Sequence, residues 1–149
     1  MLNFIKNLFP YKTKSIEEFA SFAKKESCKT VIMTPYLEAK GGANSATVGM
    51  ISTFQYAVEY ISTTSTGRKV ILRQHLFERF GSEHGFSDSD ERTKAAIKHY
   101  LFGEQKMNEM QKLLPKKMTV RLMDATDQPM DKTKFKMLHK DALKFGVSI

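Results

Sequence analysis

The chain has 149 residues, 41% hydrophobic and 27% charged, and its 24 Lys and Arg outweigh 16 Asp and Glu for a formal charge of +8. That length suits one domain able to bury its own core, and the near-average apolar share excludes wholesale disorder. Few glycines and prolines exclude collagen-like repeats, and the lone Cys28 excludes an intrachain disulfide or a multi-cysteine metal site.

Residues 1–14 read as an amphipathic amino-terminal segment. Leu2, Phe4, Ile5, Leu8 and Phe9 fall on one side of a helix, and Asn3, Lys6 and Asn7 break the run. The segment lacks the pattern of a secretory signal, and no stretch has the roughly 18 apolar residues of a membrane span. With one thiol, the expected compartment is the reducing cytoplasm.

Ser15-Ile16-Glu17-Glu18 has the form of a capping box, and Ile16, Phe19, Phe22 and Ala23 follow at helical spacing, which predicts a helix over 16–26. Lys29–Thr34 reads as a buried strand ended by Pro35, and 36–45 as a loop around Gly41-Gly42. Val48, Ile51, Phe54, Val58 and Ile61 predict a helix over 46–62. Arg68–Gln74 reads as a second buried strand, after which Leu76, Phe77 and Phe80 suggest a helical turn and 81–89 a loop. Asp88 and Glu91 offer a cap for a helix that Gly103 ends or kinks, with a second piece running to Leu114. Met118–Met123 alternates as an edge strand does. Asp131 caps a last helix closed by Gly146, and Val147–Ile149 is a candidate fourth strand.

Strands alternating with helices predict one α/β domain over 1–149, a small three-layer fold with a 3–4 stranded, mostly parallel sheet flanked by helices. The alternating third strand keeps an α+β fold with an antiparallel edge as the alternative.

In an open parallel sheet, ligands collect beyond the carboxyl ends of the strands. That edge gathers His75 and Asp124 as candidate acid–base groups. It also gathers the loop of Gly41, Gly42, Asn44 and Ser45, whose amides can face a phosphate at a helix start, although its spacing matches no nucleotide-binding motif. His99 and His139 stand among lysines and read as solvated; Cys28 reads as a small packing residue. His84 with Asp88, Asp90 and Glu91 lacks any cation-loop spacing, so no metal site is assigned, and no cofactor is implied.

The basic excess is local. Residues 112–149 hold nine cations against four carboxylates, and Lys132, Lys136, Lys140 and Lys144 recur every fourth residue along the last helix. Such a stripe reads first as a solvated helix surface, and alternatively as an electrostatic footprint for nucleic acid or another polyanion. The leading expectation is therefore a small basic binding or regulatory protein that meets an anionic partner (nucleic acid, phosphorylated ligand or acidic protein) through that helix. The alternatives are a phosphate- or nucleotide-handling enzyme at the sheet edge, and an interaction module, such as an effector or accessory factor, that holds a protein partner through residues 1–9.

Overall fold

The computed structural model describes residues 9–40, 53–80, 89–124 and 126–148. In chain order they form β1 (Tyr11–Thr13), α1 (Ile16–Lys25), β2 (Thr30–Lys40), β3 (Thr53–Thr63), β4 (Lys69–Phe80), α2 (Ser89–Leu113), β5 (Thr119–Leu122) and α3 (Lys132–Phe145). The strands make one sheet in the order β1-β4-β3-β2-β5. Pairs β1–β4 and β2–β5 are parallel, while β2–β3 and β3–β4 are antiparallel. Four strands thus point one way and β3 points against them. The expected α/β alternation is present, but the sheet is mixed and has five strands, so the mostly parallel reading is met only in part.

The main departure is β3. Residues 53–62, expected as part of a helix, are strand, because the segment TFQYAVEYIST carries two periods at once. Phe54, Val58 and Ile61 fit a helical face, yet Tyr56, Val58 and Tyr60 alternate with Ala57, Glu59 and Ile61. Aromatic and β-branched side chains favour the pleated solution once partner strands are available on both sides. Residues 46–52 of that expected helix lie outside the described residues.

Pro35 does not end its strand. The carbonyls of Lys29 and Met33 accept from Thr119 and Met123 on the β5 side, so odd-numbered residues of β2 direct their backbone groups toward β5. The β5 pairing stops at Leu122, opposite Met33. Pro35, two residues on, lacks its N–H on the side where no strand follows, which is where a sheet tolerates proline. β2 therefore runs through residues 36–40, expected as loop, and β4, paired with β3 as far as Phe54–Phe80, continues where a helical turn was expected.

One face of the sheet is covered. Val31, Met33, Tyr56, Val58, Tyr60, Val70 and Leu72 are buried on it beneath Phe19, Ala20 and Ala23 of α1 and Phe102 and Met110 of α2. Phe19 and Tyr60 meet with ring centroids 5.8 Å apart, and the Tyr60 hydroxyl donates to Gln74 Oε1 at 2.8 Å. Burial first, then the Glu109 charge, pushes the Tyr60 phenol far above its usual range, so it remains a neutral donor. Cys28 lies in the same core, as expected of a small packing residue. Helix α3 stacks on α2 through Ile97, Leu101, Leu138 and Ala142. Among the described residues no helix lies over the opposite face, so the layers are sheet, α1 with α2, then α3, and the expected helices on both faces are not found.

Helix α2 runs unbroken through Gly103, where a stop or kink was expected. A β-carbon there would stand 2.8 Å from Pro35 Cγ and 3.1 Å from Leu122 Cδ1. The glycine is a site of close helix–sheet approach and not a terminator. The Asp88 cap expected for this helix lies outside the described residues, as does Ile149; Val147 and Ser148 form no strand.

The caps of α1 and α3 follow local chemistry. Ser15 Oγ accepts from Glu18 N at 3.0 Å, and Glu18 Oε2 reaches back to the Lys14 amide at 3.0 Å. Tyr11 stacks on Phe22 at 4.2 Å beneath the Arg68 guanidinium, fixing short β1 to α1 and to the β3–β4 turn. Replacing Ser15 by alanine is expected to cost about 1 kcal/mol in urea denaturation, and Ser15→Asp to retain most of it.

Candidate anion-binding surface

Helix α3 owes its position to both ends. Asp131 caps it by accepting from Lys134 N at 2.9 Å, and Gly146 closes it in the left-handed conformation at φ 67°. Leu138 and Ala142 face α2, which turns the residues about half a turn away toward solvent. Lys132, Lys136, Lys140 and Lys144 are exposed along that outer face. Among the described residues none of the four takes part in an ion pair. Successive members are about 6 Å apart along the axis, so the stripe covers about 18 Å. Asp141 is the single carboxylate within α3.

A fifth lysine of this helix is engaged. Lys134 Nζ donates to Asp124 Oδ2 at 2.5 Å, while Asp124 Oδ1 accepts from Thr126 N at 2.8 Å, Thr126 Oγ1 at 2.7 Å and Gln128 N at 2.9 Å. The Lys134 bond first, then the Gln128 amide and the Thr126 hydroxyl, hold the Asp124 carboxyl well below the usual carboxylate range. A carboxylate so held organises the turn into α3 and is a poor proton carrier near neutrality.

The other candidate acid–base residue stands apart from it. His75 is exposed within β4, opposite Ala57 of β3. With β3 and β2 between β4 and β5, three strand spacings, about 14 Å, separate the His75 and Asp124 backbones. Gly41, Gly42, Asn44 and Ser45 lie outside the described residues, as do residues 1–8 and the His84–Asp88 stretch. Among the described residues no cluster of His, Cys, Asp and Glu could hold a metal ion.

Two histidines differ in fate. His139 is exposed as expected and bonds Glu104 of α2 at 2.9 and 3.2 Å. His99, expected in solvent, is buried at 7% exposure, its ring 6.1 Å from that of Tyr56. Its Nε2 has no hydrogen-bond partner. The signal for this was in the helix: Ala95, His99 and Phe102 share one face, and both neighbours are core. No helix among the described residues is long and apolar enough to cross a membrane. No protein-family model matches the chain, and no curated protein matches it in sequence.

Proposed function

We propose that the protein is a cytosolic binding protein that engages the phosphate backbone of a nucleic acid, or a comparable polyanion, through the outer face of α3. The supporting observation is the row of four exposed lysines on a helix whose other side is anchored to α2 and whose remaining lysine is taken up by Asp124. A row of ammonium groups on a rigid helix neutralises phosphates without reading bases, so affinity is set by counterion release. Four phosphate contacts lower the affinity for a generic DNA duplex roughly a hundredfold between about 50 and 200 mM salt. Changing Lys132, Lys136, Lys140 and Lys144 together to glutamine preserves helix propensity and is expected to remove most of that salt dependence in an anisotropy titration. Unchanged affinity and unchanged slope in the quadruple variant would refute this reading.

A further inference from the structure

Along the central strands side chains alternate, and among the described residues only one set is covered by helices. On the uncovered set the pairing register aligns Arg121 of β5, Ile32 of β2, Ile61 of β3, Ile71 of β4 and Lys12 of β1 in one row across all five strands. Three isoleucines on adjacent strands therefore form a line about 10 Å long, with a cation at each end of a row about 19 Å long. Ile32 is 43% exposed, and Arg121 and Lys12 are exposed. Flanking rows pair Thr119 with Thr30 and Thr63 with Lys69 on one side, and Thr34, Glu59 and Arg73 on the other. Within these rows Glu59 is the single carboxylate, and Arg73 Nε already binds it at 2.9 Å. A hollow of about 510 Å³ opens beside Lys29, Thr30, Ile32, Ile61 and Thr63. A second, about 210 Å³, lies among Lys12, Thr13, Ile71 and Arg73.

We propose that this face docks an acidic amphipathic helix of a partner protein, laid across the strands along the isoleucine row. The charge argues for an acidic occupant, since cations stand at both ends and the one carboxylate is neutralised. The shape argues for a helix: its apolar side chains recur about every 5.4 Å along the axis, close to the spacing of about 4.8 Å between neighbouring strands. A bare nucleic acid fits less well, because isoleucine offers no aromatic surface on which a base can stack. A second copy of the chain fits less well too, because a two-fold contact through this face opposes like charges. The proposal is separate from the α3 reading, since α3 is stacked beyond α2 on the sheet's other side.

The test uses the full chain and a fluorescein-labelled helical peptide of about 14 residues, with leucines on one face and glutamates along both flanks. A matched peptide carries lysine in place of every glutamate. The acidic peptide is expected to bind and the basic one not. The paired reversal Lys12→Glu with Arg121→Glu is expected to weaken binding by roughly tenfold or more, as is Ile32→Thr, which keeps a β-branched residue on an exposed site. The α3 quadruple glutamine variant is expected to bind the peptide unchanged. Circular dichroism melts of each variant show that the fold is retained. Failure to bind the acidic peptide, equal binding of the basic one, or indifference to the paired reversal each overturns the proposal. A single-stranded oligonucleotide that binds here and is insensitive to Ile32→Thr assigns the face to nucleic acid instead. A dimer dissolved by the paired reversal assigns it to a second copy.

Discussion

Replacing Gly103 by valine is expected to destabilise the protein by about 3 kcal/mol or more, although a glycine inside a helix is ordinarily the weaker choice. Two effects compete. Removing a mid-helix glycine gains about 1 kcal/mol of helix propensity when the replacement is alanine. Against this, the first added carbon already falls 2.8 Å from Pro35 Cγ and 3.1 Å from Leu122 Cδ1. The Pro35 ring is tied to its own backbone, and Leu122 is 1% exposed in a strand held by its ladder to β2. Neither can retreat far, so α2 must rise from the sheet, and overpacking of this kind typically costs about 1–3 kcal/mol. Gly103→Ala should therefore show a modest net loss, and Gly103→Val, with two further methyl groups and a branched Cβ, a large one.

A double-mutant cycle with Pro35→Ala checks the mechanism. Removing the ring carbons should recover part of the loss in Gly103→Ala and little of the loss in Gly103→Val, where Leu122 remains in the way. A stabilised Gly103→Ala in chemical denaturation would show that the helix–sheet spacing is not held by this glycine.

The same glycine illustrates what can be read along the chain and what cannot. Elements defined by neighbours in sequence were legible: the Ser15–Glu18 box, the Asp131 cap, the left-handed Gly146 and the alternation of β5 all rest on contacts a few residues apart. The lysine stripe of α3 belongs to this class, because a four-residue repeat on a helix determines its own geometry. Gly103, Pro35 and β3 belong to the other class. Whether Gly103 stops a helix or seats it depends on a proline some seventy residues earlier. Pro35 would terminate a strand paired along its whole length on both sides, and is accommodated here because β5 is only four residues long. The helical and alternating periods of β3 are separated only by the strands that flank it. The isoleucine row draws one residue from each of five strands, so it exists only once the register is known.

Acidification from pH 6.5 to about 4 is expected to remove about 3 kcal/mol of stability through His99 alone. The side chain lies where α2 meets the sheet, between the rings of Tyr56 and Tyr100. Burial lowers its pKa to about 4, against a smaller opposing pull from the Ala57 and Tyr36 carbonyls, which favour the protonated ring. Nε2 has no partner, so a second proton would be buried without an acceptor. The unfolded chain takes up that proton near pH 6.5 and the folded chain only near 4. The stabilising contribution is therefore complete above 6.5, declines as the pH falls through this window, and changes no further below about 4. Asp124 adds a loss of the same sign at lower pH, because its folded carboxyl is held below the ordinary range.

His99→Phe separates the two effects. It keeps a ring against Tyr56, removes the titrating nitrogens and leaves the Asp124 turn untouched. Urea midpoints measured from about pH 7.5 to about 3 should fall steeply for the parent protein between about 6.5 and 4 and only slightly for the variant over the same interval. Below about pH 4 the two curves should run parallel as the carboxylates titrate. Equal slopes in both proteins between 6.5 and 4 would show that His99 accepts its proton without cost at the α2–sheet interface.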